Sequence, residues 1–585
     1  MFLRSFLALG SCVTLALGLL ALPQEAMAAG ATSKVSVPMG QLAGLTASGP
    51  ADGHTVLRVT IEYQPKGDLD GLAAQMNDPS APLHRQPLAP DAFNARFARD
   101  GHDGDALVAF FKNVGATNIY VSPDRLVGGA IMDVAAASRA FGVSFVKYTG
   151  FGRSAVAPAG ALTVPLANVR DVRGLVTVTT PRLNDVPTFT LFRGDWYPPN
   201  RFREMYDAVP NGGGNEHITI IEDASDRFDL KDVATFLRAE GPPPGATPDR
   251  VNENNFAFKS PSSDCGRDDR GQEPALDADS ALTMAPLALV TLQYDDVCSA
   301  GNEGALALKR ALDDRTPPTV IVFPFAIGPA IGPIAQLYGK PPLAFLEAMV
   351  RGIPIVASAG DDGAYGYKLA GIEAPNVAYP CVSTYVICAG GTQLGDRDGA
   401  IDEGPWNDNE HATGGGISLE PRPAWQNAPS AFEFSAGFIK NRIVPDVSAD
   451  AAGHLRVYWH GYGLGGVGGT SESASIVGAQ IAAIDSLVPR TKRLTIAGDL
   501  YLLATNSPKA YRQILRENDR GYVDNTLRPR RNALPKNFIG TIPPPPKLVN
   551  GCGVVQNSGC SVRMGFNAVT GIGSLKEQAA VDALR

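Results

Sequence analysis

At 585 residues the chain is too long for one small core, so two or more domains are expected. Its 44% hydrophobic and 19% charged residues argue against wholesale disorder, and a formal net charge of -8 argues against a nucleic-acid groove as its main business. The 63 glycines and 46 prolines point to many ordered loops and turns.

The chain opens "MFLRSFLALGSCVTLALGLLALPQEAMAAGATS": Arg4, an apolar run, then Ala26-Met27-Ala28 as a small-x-small cleavage site. Residues 1–28 therefore read as a secretory signal peptide, with an uncleaved anchor helix as the alternative. Beyond it stand six cysteines, 265, 298, 381, 388, 552 and 560. An even number in an exported protein suggests disulfides, and the economical pairing is 381–388 and 552–560, with 265–298 left over. No second long apolar stretch follows, so the mature protein is expected to be soluble, periplasmic or extracellular, with no membrane contact.

From about 54 to 180, short strands alternate with helices. "HTVLRVTIEY" alternates apolar and polar residues like a half-buried strand, and "DGDALVAFFKNVG" has helical spacing with a glycine stop. "NIYVSPDRLVGGAIM" reads as two strands around a Ser-Pro-Asp turn, "DVAAASRAFG" as a helix and "VSFVKYTG" as another strand. Two helices on one face of a small antiparallel sheet make an α+β, ferredoxin-like domain. It holds no convergent polar cluster, which suits a structural or regulatory module.

Residues 183–200 ("LNDVPTFTLFRGDWYPPN") break the rhythm and read as a linker. After it, "HITIIED", "PTVIVFPFA" and "IPIVASAGDDG" are near-continuous apolar strands, as a central parallel sheet requires. "DLKDVATFLRAEG" and "PPLAFLEAMVRG" are the intervening helices of a doubly wound α/β domain, in which the strand C-termini carry the chemistry. "RPRRNALPKNFIGTIPPPPKLVNG", basic and proline-rich, reads as an exposed loop.

"GGVGGTSESASIVG" sets Ser471 between glycines and small residues at the mouth of an apolar helix, a presentation suited to a nucleophile that needs a base. None of the seven histidines lies in a His-Gly-Thr-like turn at a helix start; His411, His454 and His460 are nearest in sequence. Carboxylates are better candidates. In "GQEPALDADS", Glu273 and Asp277 are four residues apart, on one helix face and one turn apart, with Pro274 suited to a first turn. "IPIVASAGDDG" ends a buried strand on Asp361 and Asp362.

"GGTSESAS", "EPALD" and "ASAGDDG" together resemble the nucleophile, paired-acid and oxyanion motifs of the sedolisin family of serine-carboxyl peptidases, which includes kumamolisin-like enzymes. "ITIIED", "CVSTYVICAGGT", "PWNDN" followed by "TGGGIS", and "RIVPDVS" match in order, while "HRQPLAPDAFNARFA" and "VSPDRLVGGAIMDVAAASRAFGV" resemble the family's propeptide. The resemblance implies a subtilisin-like, doubly wound, mostly parallel sheet at 201–585, a propeptide domain at 29–182 and a maturation site within 183–200. It implies Ser471 as nucleophile, Glu273 as general base, Asp277 as its partner, Asp361 in the oxyanion hole and Glu222 as an outer member of the network. The implied partners are polypeptide substrates and the chain's own propeptide, acting as chaperone and inhibitor.

An acidic optimum follows from the residue types. An imidazole with pKa about 6.5 is mostly protonated in acid, whereas an ordinary glutamate with pKa about 4.3 still accepts a proton near pH 4. Two close carboxyls share a proton and titrate as a pair, and a third acid can donate to an oxyanion only while protonated.

The sequence departs from the pattern at several points. Phe325 stands where the family has tryptophan, Ser475 where a proline follows the serine motif, and Asp362 where a serine follows the oxyanion aspartate. The family's calcium site, two aspartates plus backbone carbonyls, corresponds to "YRQIL" and "VRMGFNAVTGIG", which place Gln513 and Asn567 at the aspartate positions with Arg563 nearby. Ligand charge governs calcium affinity, so no tight calcium and no other cofactor is expected, with Cys552 and Cys560 as a substitute staple if they pair. Two competing functions stay open: a catalytically impaired binding protein that kept the fold, and a conventional histidine-dependent subtilisin-like protease.

Overall fold

The structure, a computed structural model, describes residues 32–179, 196–223, 229–255, 272–295, 304–326, 328–330, 333–365, 376–397, 399–408, 411–427, 440–464, 466–515 and 566–585. The expected signal segment 1–28, most of the expected linker (183–195), Cys265, Cys298, Cys552, Cys560, Arg563 and the proline-rich stretch 528–551 lie outside the described residues.

In the N-terminal unit, strands Thr117–Val121, Val127–Asp133, Val56–Tyr63 and Val169–Arg173 lie side by side, all antiparallel. Alternation along Val56–Tyr63 sends Leu57, Val59 and Ile61 into a core with Leu107, Phe111, Ala137 and Phe141. The last four come from helices Gly101–Asn113 and Val134–Phe141, as the helical spacing implies. Asp133 caps the second helix by accepting the Ala136 N–H, and Gly142 closes it with φ 62°.

The strand expected at "VSFVKYTG" forms, but in a different sheet. Phe145–Gly150 folds back on Arg153–Pro158 in a hairpin that joins Thr46–Pro50 and Thr177–Thr179 in a second four-stranded sheet. Its two-residue turn, Phe151-Gly152, has φ of 52° and 73°, the left-handed pair that matches the twist of antiparallel strands. The local hairpin wins over the pairing expected from chain order. Helices Leu69–Met76 and Pro90–Phe97 complete this unit.

The second unit is built on an eight-stranded sheet. Its order is Val251–Asn255, Leu289–Asp295, His217–Asp223, Val320–Phe323, Ile355–Ser358 and Ile387–Arg397, with Ala400–Pro405 and Val447–Asp450 both pairing to the last. Every pair is parallel except Ile387–Arg397 with Ala400–Pro405. Period-two alternation splits the strands between two cores: Val320 and Val322 face one, Ile321 and Phe323 the other. The first core also takes in helices Gln272–Met284 and Thr470–Asp485; the second takes in Ala305–Leu312 and Leu343–Val350. Chain order reverses around His217–Asp223, so crevices open beyond the C-termini of the central strands.

The two units share an apolar interface. Leu69, Leu72, Met76 and Phe93 pack with Leu343, Leu346 and Met349. Polar contacts fix the register: Glu62 accepts the Leu343 N–H at 3.1 Å, and Asp499 accepts from His84 at 2.8 Å and Arg85 at 2.6 Å. Lys309 Nζ, buried, lies 2.6 Å from Asp124 of the N-terminal unit, 2.7 Å from Asp313 and 2.8 Å from Glu347. Cys381 and Cys388 form a disulfide with Cα atoms 4.7 Å apart, as the short-loop pairing anticipated.

Candidate active site

Ser471 is the second residue of the helix Thr470–Asp485 and is nearly buried at 7% exposure. Gly469, the residue immediately before this helix, adopts φ 153°, ψ 172°, a conformation essentially reserved for glycine. A side chain there is excluded twice over. A Cβ on Gly469 would sit 2.8 Å from Asp361 Oδ2 and 3.2 Å from Ser471 Oγ. The serine hydroxyl and the aspartate carboxyl therefore border one space beside Gly469 that a side chain at this position would invade.

Asp361 reaches that space from just beyond strand Ile355–Ser358, where the fold puts functional groups. Its Oδ1 accepts from Thr470 N–H at 2.8 Å and from Thr470 Oγ1 at 2.7 Å. Thr470 Oγ1 in turn accepts the Gly360 N–H at 3.0 Å. With Oδ1 occupied, a proton on this carboxyl belongs on Oδ2, the oxygen turned to Ser471. Burial raises the Asp361 pKa above the ordinary carboxylate value, ahead of the lowering by Thr470.

The paired acids stand on the Gln272–Met284 helix, buried along its length from Glu273 onward. It packs against the Thr470–Asp485 helix, and Leu276 sits with Val467 of the glycine-rich loop and Val457. Leu276 lies between Glu273 and Asp277 in sequence, so its contact brings that turn beside the loop that leads into the Ser471 helix. Both acids act electrostatically on Glu472, the residue after Ser471. Glu222 is fully buried at the end of the central strand His217–Asp223, opposite Tyr294. Phe325 follows strand Val320–Phe323 with its ring edge-on to Phe323, and Ser475 is buried inside the serine helix.

Three groups near the site were not singled out from sequence. Glu472 is wholly buried. Asp279, on the acid helix, accepts the Tyr458 N–H at 3.4 Å, and burial holds its carboxyl well above the usual range. Asp450 binds His454 Nδ1 at 2.8 Å. His411 lies on the Asp361 side of the site: burial lowers its pKa, but Asp408, Asp361 and Asp362 raise it overall. A histidine raised in this way is a cation in acid, unsuited to take a proton from serine.

A protein-family model described as "Pro-kumamolisin, activation domain" matches residues 43–180. Sedolisin of Pseudomonas sp. (strain 101) is 28% identical over 447 residues, covering 72% of this chain and 74% of its own length. Kumamolisin of Bacillus sp. (strain MN-32) is 28% identical over 469 residues, covering 75% and 81%. The solved structure of Pseudomonas sedolisin, a serine-carboxyl proteinase complexed with two molecules of pseudo-iodotyrostatin, aligns with a TM-score of 0.50 at 24% identity, over 67% of this chain and 98% of that one. These comparisons support the sedolisin family of serine-carboxyl peptidases, with a propeptide at the N-terminal end. The large parallel sheet is thus the subtilisin-like fold, and residues 43–180 correspond to an activation domain.

The likeness raises the question of calcium. Asn567 Oδ1 already accepts N–H bonds from Val569 and Thr570, both at 2.9 Å, and its Nδ2 donates to Thr570 Oγ1. That amide is committed to its own turn. Beside Gln513, the Arg512 guanidinium lies 2.6 Å from Glu403, whose same oxygen accepts from Ser574. A neutral amide spent on backbone, a second neutral amide and an adjacent cation do not fit a tight calcium site.

Proposed function

We propose that this sedolisin-family chain is a secreted, acid-acting endopeptidase made as a self-processing zymogen, with Ser471 as nucleophile. The observation that carries this reading is the shared space in front of Gly469, lined by Ser471 Oγ and Asp361 Oδ2. A carbonyl seated there meets an attacking hydroxyl and an oxyanion donor together.

Glu273 takes the Ser471 proton as Oγ attacks the scissile carbonyl carbon, and Asp277 shares the charge and proton of that acid. Oδ2–H of Asp361 donates to the oxyanion. On collapse, protonated Glu273 gives its proton to the leaving amine, and the acyl group stays on Ser471. Water, deprotonated by Glu273, then releases the second product. Buried Glu222 supports the acid helix from the central strand.

The N-terminal unit, covering the helices Ala305–Leu312 and Leu343–Val350, acts as intramolecular chaperone and inhibitor until the chain is cut within 183–200. Residues 1–28 direct export as a signal peptide. Among the described residues no helix is long and apolar enough to cross a membrane. The test is hydrolysis of a denatured protein at pH 4 by the processed enzyme. The reading expects cleavage that Ser471→Ala abolishes; cleavage surviving in that variant would overturn it.

A further inference from the structure

Two buried carboxyls brace the C-terminal base of the serine helix. Asp485 is the last residue of that helix, and its Oδ1 accepts the Leu494 N–H at 2.9 Å across the turn that follows. Glu577 opens the C-terminal helix Glu577–Leu584, which packs on the serine helix. Its Oε2 accepts the Val209 N–H at 2.9 Å, and Oε1 has no hydrogen-bond partner among the described residues. The Val209 segment meets the same base. The Gly213 N–H donates to Ser486 Oγ at 3.0 Å, and a Cβ on Gly212 would lie 2.7 Å from the Ala483 side chain.

Neither carboxyl has the surroundings of an anion. Glu577 is 0% and Asp485 4% exposed, and each is held by a single backbone N–H. The nearby cations are engaged elsewhere. Around Asp485 lie Arg493, Glu216 and Asp499; Arg493 Nη2 is 2.7 Å from Glu216, and Asp499 is held by His84 and Arg85. Around Glu577 lie Arg203 and Asp207, and the Arg203 guanidinium donates to the carbonyls of Thr283, Met284 and Val209. Asp446 shows the contrast: equally buried, it takes two bonds from Arg442 and others from Cys388 N–H and Tyr501. Asp485 sits at the negative end of its helix, which disfavours an anion; Glu577 sits at a positive end, but the loss of water outweighs that gain. Keeping a proton costs less than an isolated charge in a dry interior. Burial, the largest cause for both, accordingly raises each pKa to about 8.

We infer that Asp485 and Glu577 give the catalytic unit a built-in requirement for acid: they are neutral carboxyls in the folded protein, and their ionisation loosens the base of the serine helix as pH rises past neutrality. This stands apart from the proposed roles of Ser471 and Glu273. In an unfolded chain both groups return to ordinary values near 4, so between about pH 4 and pH 8 unfolding releases a proton from each. Their contribution is full below the unfolded value and lost as pH rises through the folded one. Within that window each makes unfolding up to about tenfold more favourable per pH unit. Glu472 and Asp279 are likewise buried with one backbone bond each, but they adjoin the proposed catalytic acids and are left unaltered in the test.

The experiment counts protons. The full chain carrying Ser471→Ala, to keep it from cutting itself, is unfolded by concentrated guanidinium chloride at pH 6 in weak buffer, alone and with Asp485→Asn, Glu577→Gln or both. Each amide keeps the shape and cannot ionise. Each single variant should release about one proton fewer than its parent, and the double variant about two fewer. The melting temperature should fall from pH 5 to pH 8 in the parent and less steeply in each variant. Equal proton release from a folded variant and its parent would overturn the inference, because the carboxyl was then already ionised in the native state. Where an amide variant does not fold, infrared titration of the parent decides. The carbonyl stretch of at least two protonated carboxyls should be present at pH 6 and gone by pH 9; its absence at pH 6 would overturn the inference. Self-cutting of the Ser471→Ala chain counts against the proposed nucleophile and leaves the proton count intact.

Discussion

Replacing Gly469 by alanine crowds the space in front of the proposed nucleophile while leaving every proposed catalytic side chain in the sequence. The new methyl would sit 2.8 Å from Asp361 Oδ2 and 3.2 Å from Ser471 Oγ, closer than carbon and oxygen tolerate. Asp361 cannot swing away freely, because Thr470 holds its other oxygen through two bonds of 2.8 and 2.7 Å. The residue must also hold φ 153°, ψ 172°, a strain of about 1–3 kcal/mol for a residue with a side chain. Displacing one oxyanion donor lowers kcat by about 10²–10³-fold, so Gly469→Ala should lose that much with KM changed only a few-fold. Thermal unfolding should fall by the strain term alone. The assay is steady-state hydrolysis of a quenched peptide at pH 4, with calorimetry in parallel. Wild-type kcat in a folded Gly469→Ala enzyme would refute the shared-space geometry.

Asp361→Ala should lose about 10²–10³ in kcat, while Asp361→Asn, which keeps a donor at every pH, should recover much of it. Burial raises the Asp361 pKa, so its donor proton is present in acid and lost as pH rises through that raised value. Asp361→Asn should therefore extend activity to higher pH, and an unchanged alkaline limb would count against the assignment. At the interface, Lys309→Met leaves Asp124, Asp313 and Glu347 crowded without their cation. Breaking such a buried cluster should destabilise the zymogen by about 3–5 kcal/mol, read from denaturant melts. The hold of the N-terminal unit should weaken below the ordinary aspartate range rather than near neutrality. Burial raises Asp124 and Asp499, but Lys309 for the first, and His84 and Arg85 for the second, bring both below the usual value. Their contribution is full above the unfolded pKa and fades as pH falls through the lowered one. Asp313, raised to about 6 mainly by burial, and His84, raised by Asp499 against the pull of burial, work in the opposite sense and favour the closed form on mild acidification. Dissociation of the cleaved N-terminal unit, followed by size exclusion from pH 7 to 3, should set in below about pH 4. Release already complete at pH 6 would contradict this.

Much of this was legible in the residues. The central strands announced themselves because burial on both faces demands unbroken apolar runs, as in Val320–Phe323 and Ile355–Ser358. The i, i+4 spacing of Glu273 and Asp277 carries to one helix face whatever the tertiary setting. Pairings distant in sequence were less legible. Thr46–Pro50 finds Phe145–Gly150 about a hundred residues on, and nothing local in either strand names its partner. Glu472 was passed over because an acid in a first helical turn ordinarily faces solvent; only packing shows that this one does not. Lys309 was hidden in the same way, since a lysine within "ALALKRAL" reads as a solvated stripe until Asp124 of the other unit closes over it.

The most direct test of the central claim is the pre-steady-state rate at which Ser471 is acylated at pH 4 in folded, processed Glu273→Gln enzyme. Glutamine fills the same volume but cannot accept the proton, so acylation should slow by about 10²–10⁴-fold, with the serine intact. Acylation at the wild-type rate would mean that some other group takes the proton, and the carboxylate account of this site would be wrong.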